Sequence, residues 1–227
     1  MRVQKPSTIY LLRHGHSTAN AKSILAGRDE SVSLSPRGIE QAQAVMQELV
    51  DKNFAKIVSS PMPRCLETLK PLVSKSKMKI EKNDGLIEME YGDWSGKKFL
   101  LLSRKKMWSD IQARPSLVRF PNGESFLEMQ SRALESIKTM AVPGSGILVC
   151  SHGDVIKAIV AGLLGLHLDN FQRLSIDPAS ITVIDLSANS AQIRIMNSTA
   201  HLTESKGLQT SKSKLNLGGG SGTEINE

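Results

Sequence analysis

Two stretches of this chain, Thr8-Ile9-Tyr10-Leu11-Leu12 and Ile147-Leu148-Val149-Cys150, are almost unbroken apolar runs rather than alternations. A strand of that kind has no face to give to water, so it belongs in the interior of a sheet covered on both sides. The covering layers are visible in the segments between. Ser35 and Pro36 supply an N-cap and a first helical position, and Ile39, Ala42, Val45, Met46 and Leu49 then recur at helical spacing. Residues 56–60 form a second short strand, followed by a helix over 62–73 with Leu66, Leu69, Leu72 and Val73 inward. Residues 79–81 suit an edge strand, and 84–97 a loop punctuated by Gly85, Gly92 and Gly96. Helices are expected over 99–113 and 125–140, separated by a loop at 120–125; an apolar helix at 154–164 follows the Ile147 strand, and 182–186 with 192–196 close the sheet as a pair of strands. Strand–helix alternation of this kind predicts an α/β protein, a three-layer α/β/α sandwich with a mostly parallel central sheet.

The 227 residues suit one sizeable domain or at most two small ones. From about Ala200 the composition turns to Lys, Ser, Thr and Gly and ends in Gly218-Gly219-Gly220-Ser221-Gly222, so residues 201–227 are expected to be a disordered polar tail. That tail holds three Lys and three Glu, which leaves the whole net charge of +7 on residues 1–200. Lys97 to Arg119 carries seven basic residues against Asp110 alone, a segment suited either to steering an anionic substrate or to a solvated basic face. Aromatic residues make up 4%, and no basic stretch is interleaved with stacking rings, which argues against nucleic acid as a partner. No apolar run approaches the ~20 residues that cross a bilayer, and the first residues lack an apolar signal region, so no membrane partner and a cytoplasmic location are expected. Cys65 and Cys150 are expected to be reduced, buried residues. Nothing in the sequence distinguishes a monomer from a homodimer.

The chemistry lies where strands end. The first strand runs into Arg13-His14-Gly15 and the fourth into Ser151-His152-Gly153, so a parallel sheet delivers both histidines to the edge where ligands bind. The glycines, Gly15 and Gly153, let backbone come close to a ligand. The strand ending at Ser59-Ser60 brings Arg64 to the same edge, in the first turn of the next helix. Two guanidinium forks and two imidazoles suit a tetrahedral dianion: one ring neutral to attack phosphorus, the other protonated to hold its oxygens. A leaving oxygen then needs an acid of raised pKa, for which Glu88, Glu90 and Asp93 are candidates.

These residues fall into blocks that resemble the histidine phosphatase superfamily, in its phosphoglycerate-mutase-like branch. Arg13-His14-Gly15-His16-Ser17-Thr18-Ala19-Asn20 is similar to R-H-G-x-[ST]-x-x-N, and Ser59 to Thr68 to S-S-P-x-x-R-x-x-x-T. Leu86 to Gly96 is similar to L-x-E-x-x-x-G-x-W-x-G, Gly123-Glu124-Ser125 to the G-E-S loop, and Ser151-His152-Gly153 to the last block. The resemblance covers about residues 7–197 and makes residues 1–200 the catalytic domain. It implies His14 as nucleophile, Arg13, Arg64, His152 and the amide of Asn20 as phosphoryl ligands, Glu88 as proton donor, and neither metal nor cofactor. The implied substrate is a small anionic phosphorylated metabolite. The resemblance includes mutases, which use the same nucleophile. Those in glycolysis carry longer insertions, so a core this short is expected to leave its pocket open to water and to hydrolyse the phosphohistidine. The Gly92 to Gly96 stretch is most similar to small phosphatases, including those acting on α-ribazole phosphate. His16 stands where Glu is common in the family and is expected to be an inert loop residue, and Trp94 to pack its loop.

Overall fold

The computed structural model describes residues 5–188 and 190–202. In chain order its elements are β1 (Ser7–Arg13), α1 (Thr18–Ala21), α2 (Pro36–Leu49), β2 (Phe54–Ser59), α3 (Pro63–Ser76), β3 (Ile80–Lys82), α4 (Phe99–Leu102), α5 (Lys106–Ala113), α6 (Phe126–Met140), β4 (Gly146–Ser151), α7 (Gly153–Leu163), β5 (Ile181–Leu186) and β6 (Ala191–Ser198), with short 3-10 turns between. The strands form one sheet in the order β3-β2-β4-β1-β5-β6. Strands β1 to β4 pair in parallel, and β5 alone runs against its neighbours.

The pleat sends successive residues of the central strands to two cores. Ile9, Leu11, Ile147 and Val149 face α6 and α7, meeting Met129, Ala133, Ile137, Val155 and Ile159. Leu12, Leu148 and Cys150 face α2 and α3, meeting Val45, Leu49, Cys65, Leu69 and Leu72. The near-continuous apolar runs are thus buried on both faces, as an α/β/α sandwich requires.

Beyond shifts of a few residues at element ends, three departures from the sequence expectation stand out. The 99–113 helix is two helices: the Ser103 hydroxyl bonds back to the Leu100 carbonyl at 3.1 Å, and Lys105 takes an extended backbone to start α5 anew. His152 is not part of the strand before α7 but its N-cap, so Gly153 rather than Asp154 is the first helical residue. Two residues placed in the expected tail, His201 and Leu202, are structured: Ala200–Leu202 forms a 3-10 turn in which His201 Nε2 lies 3.0 Å from the Ala179 carbonyl and Leu202 joins the α2–α3 core. Residues 203–227 lie outside the described residues.

One close approach fixes the loop after β1. A Cβ on Gly38, in the first turn of α2, would sit 2.0 Å from the His16 carbonyl oxygen, and one on Gly15 would sit 2.9 Å from the Gly38 carbonyl. The two glycines stand back to back, so Gly15 serves helix–loop packing. Gly38→Ala is expected to destabilise the protein by roughly 1–3 kcal/mol and to lower turnover by displacing His14, measured by denaturant unfolding and steady-state kinetics on the same preparation.

Candidate active site

Arg13 ends β1 opposite Ser151, the last residue of β4, and Ser59 ends β2 opposite Cys150. The next residue of each strand therefore emerges at one edge. The His14 amide donates to the Ser151 carbonyl at 3.0 Å, and the Ser60 amide to the Cys150 carbonyl at 2.9 Å. The rings of His14 and His152 face each other at 5.3 Å between centroids and 60° between planes. Arg64, in the first turn of α3, places Nη2 3.2 Å from His152 Nδ1 and donates from the same nitrogen to the Gly27 carbonyl at 2.9 Å. Its Nε and Nη1 are buried with no hydrogen-bond partner among the described residues. Arg13 donates from Nη1 to the Ile176 carbonyl and lies close enough for its charge to act on both histidines.

The hydrogen bonds set the tautomers. His14 Nδ1 lies 2.7 Å from the Gly15 carbonyl, which can only accept, so Nδ1 carries the proton and Nε2 keeps its lone pair. His152 Nδ1 accepts from Arg64, which puts the proton on Nε2, 2.8 Å from the Ser60 hydroxyl. Burial, with the charges of Arg64 and Arg13, holds His14 well below the usual imidazole range. Burial and Arg64, with smaller contributions from His14, Arg132 and Arg13, do the same for His152. Burial and the neighbouring guanidinium charges thus favour the neutral form of both rings, against the protonated second ring expected from the sequence.

Arg13, His14, Arg64 and His152 are 2%, 4%, 1% and 0% exposed. The loop carrying Glu88 lies over them and is itself clamped.

Glu88 is the carboxylate that reaches the histidines, with Oε2 3.6 Å from His152 Nδ1 and 12% side-chain exposure. Its Oε1 accepts the Met89 amide at 2.9 Å. Burial raises its pKa to about 7, with Asp154 adding to the rise and Arg64 and Arg13 opposing it. Asp154 is itself held by the Tyr91 hydroxyl at 2.8 Å and is 1% exposed. The Glu88 backbone is gripped from two sides. Its carbonyl accepts from Arg28 Nε at 3.0 Å and Arg132 Nη2 at 3.2 Å, while Arg132 Nη1 bonds the Gly85 and Ile87 carbonyls at 2.9 and 2.7 Å. Glu124 holds Arg132 with both oxygens, at 2.6 and 3.0 Å, and accepts the Glu90 amide at 2.8 Å.

The Histidine phosphatase superfamily (branch 1) matches this chain over residues 9–199. The chain belongs to that family. Its relatives include Phosphoserine phosphatase 1 of Hydrogenobacter thermophilus, 29% identical over 86% of this chain and 94% of its own. Adenosylcobalamin/alpha-ribazole phosphatase of Escherichia coli is 28% identical over 85% of this chain and 96% of its own. Among solved structures, YhfR of Bacillus stearothermophilus superposes with a TM-score of 0.79 at 26% identity, covering 86% of this chain and 99% of its own.

In this histidine phosphatase the other residues singled out in the sequence take different places. Glu90 faces Arg28 at 3.5 Å, and Asp93 accepts from Asn122 Nδ2 at 3.1 Å; neither is within bonding reach of a histidine among the described contacts. Asn20 commits its Oδ1 to the Ser17 amide and hydroxyl at 2.9 and 2.8 Å, capping α1, which leaves the Nδ2 group as the end able to meet an oxyanion. Gly153 opens α7 directly after His152. His16 is buried, with Nδ1 2.8 Å from the Ser35 hydroxyl that caps α2. Trp94 packs edge-on to Phe120 at 5.4 Å, and Cys65 and Cys150 are free and buried.

Thr68, Arg28, Arg132, Asp154 and Tyr91 had not been picked out as functional. Thr68 closes the last block of the α3 motif by donating to the Arg64 carbonyl at 2.7 Å and accepting the Gly15 amide at 2.9 Å. Its place in that motif was the available signal. Arg132 had none beyond lying on an amphipathic helix. Arg132→Ala is expected to cost about 2–4 kcal/mol, because Glu124 and three loop carbonyls lose a partner. If Glu88 is the acid, it should also slow turnover of alkyl phosphates more than of p-nitrophenyl phosphate, since Glu88 is the group left unsupported; thermal unfolding and the ratio of the two rates measure this.

Proposed function

We propose that this protein hydrolyses small phosphorylated metabolites through a phosphohistidine formed on His14, in the cytoplasm. The observation that carries this is the hydrogen bond from His14 Nδ1 to the Gly15 carbonyl at 2.7 Å, which presents an unprotonated Nε2 in a pocket of buried cationic groups. Arg13, Arg64, His152 and the Asn20 amide surround the phosphoryl oxygens, with Gly153 at the helix start behind His152. The Nε2 lone pair forms the N–P bond as the ester P–O bond breaks, and the leaving oxygen takes the proton of Glu88. Water then attacks phosphorus, its proton passes to the Glu88 carboxylate, the N–P bond breaks, and inorganic phosphate leaves with the lone pair restored to His14. A phosphomutase would share the first step and return the phosphoryl group to product; dependence of turnover on a bisphosphate primer separates the two.

His14→Ala is expected to abolish turnover with the fold intact. Rapid quenching of the wild type with labelled substrate should leave acid-labile, base-stable phosphate on the protein, and the same trap on the variant should be blank. Label retained by the variant would remove His14 from the reaction.

The acid and the nucleophile give opposite pH limbs. Glu88 must be protonated, so kcat/KM for an alkyl phosphate is expected to fall as pH rises through about 7. His14 must be neutral, and its lowered pKa places the acid limb well below 6.5. Glu88→Gln should remove the limb near 7 and slow alkyl phosphates far more than p-nitrophenyl phosphate. Equal losses on both substrates would rule out Glu88 as the acid.

A further inference from the structure

No residue of the basic segment bonds Arg13, His14, Arg64, Glu88 or His152 among the described residues. Its first half has the sequence Lys97-Lys98-Phe99-Leu100-Leu101-Leu102-Ser103-Arg104-Lys105-Lys106, four apolar residues between five cations. No acidic residue occurs between Lys97 and Ser109. In α4 the i, i+3 pair Phe99 and Leu102 turns inward: Leu102 is buried, and Phe99 meets Trp108 edge-on at 6.5 Å. Leu100 and Leu101 are left on the other side, 56% and 55% exposed. Leu117, in the 3-10 turn that packs on α5, is 76% exposed. Lys97, Lys98, Arg104, Lys105 and Lys106 are all exposed, and none forms an ion pair among the described residues.

We propose that this turn is a docking surface for an anionic lipid bilayer. Unneutralised cations and solvated leucines at one place fit a surface that is negative outside and apolar beneath, where basic side chains stay among the headgroups and leucines enter the acyl boundary. A soluble phosphorylated metabolite would account for the cations and leave the leucines unexplained. The turn is presented rigidly, because α4 is anchored by its inward pair and the chain before it is tied to the loop after α1. The Leu25 amide bonds the Lys97 carbonyl at 3.0 Å, the Gly96 amide the Leu25 carbonyl at 2.8 Å, and the Phe99 amide the Ser23 carbonyl at 3.0 Å. That loop continues to Gly27 and Arg28, which contact Arg64 and Glu88, so docking would bring the membrane to the side of the protein where the catalytic residues lie. The absence of a membrane partner expected from the sequence rested on spanning segments, and no helix among the described residues is long and apolar enough to cross a membrane. Surface docking needs none.

The test is flotation of the full chain with phosphatidylcholine vesicles, with and without about one-third phosphatidylserine. The chain should bind the anionic vesicles and not the neutral ones. Leu100→Ser with Leu101→Ser should weaken binding about tenfold, and Lys97→Glu with Lys98→Glu by a larger factor, while p-nitrophenyl phosphate hydrolysis stays at the wild-type rate in both and so reports a folded protein. No binding to anionic vesicles overturns the proposal, as does equal binding by the leucine variant, which would leave only general attraction to a basic chain. Capture by polyglutamate without vesicle binding overturns it in favour of an acidic protein partner.

Discussion

Two guanidinium groups are held out of water at one edge of the sheet, and most of the chemistry follows from the cost of keeping them there. A buried charge is tolerated only when it is paired or hydrogen-bonded. The fold supplies carbonyl acceptors from Ile176 and Gly27 and the nearby charges of Asp154, Asp177 and Glu88. It leaves Nε and Nη1 of Arg64 without a protein acceptor among the described residues. In the proposed reaction a phosphoryl oxyanion completes that set. The same positive field disfavours a proton on either histidine, so the groups proposed to attract a phosphate would also keep His14 in its reactive form.

This concentration of charge is possible because three neighbouring strands, β2, β4 and β1, end in register. Each contributes a residue just past its last pairing, and each is followed by a turn whose shape is fixed by packing. Gly15 against Gly38 fixes the first, and Thr68, bonded at once to Arg64 and Gly15, ties the first turn to the second. The pocket is therefore built on the ends of rigid elements, with little freedom for its side chains to move apart.

Much of that was legible in the sequence. The apolar runs implied a sheet buried on both faces, and the strand-end histidines with Arg64 implied a shared edge, because strand and helix periodicities are local signals. Glu88 was only one of three carboxylates until the family resemblance selected it; what separates it from Glu90 and Asp93 is which way a loop turns, and no periodicity encodes that. Arg132, Asp154 and Tyr91 were invisible for a related reason. Each meets partners 8 to 63 residues away, and in sequence each is an ordinary member of its helix or loop. The lowered pKa of His152 depends on burial by segments far along the chain, which residue types alone do not show. The break between α4 and α5 turned on one serine hydroxyl.

The support for Glu88 bears on its proposed role as acid and then base. Arg28 and Arg132 bond its backbone carbonyl, not its carboxylate, and Glu124 takes up the guanidinium of Arg132 with both oxygens. Two cations thus hold the acid in place while much of their charge is answered elsewhere. Had either bonded the carboxylate directly, it would have stabilised the ionised form and drawn the pKa down. Burial instead leaves it at about 7, where protonated and ionised forms are of similar population near neutral pH. In the proposed reaction, phosphoryl transfer to His14 needs the first form and hydrolysis of the N–P bond needs the second, and a carboxyl group fixed through its backbone serves both in a way that one fixed through its carboxylate would not.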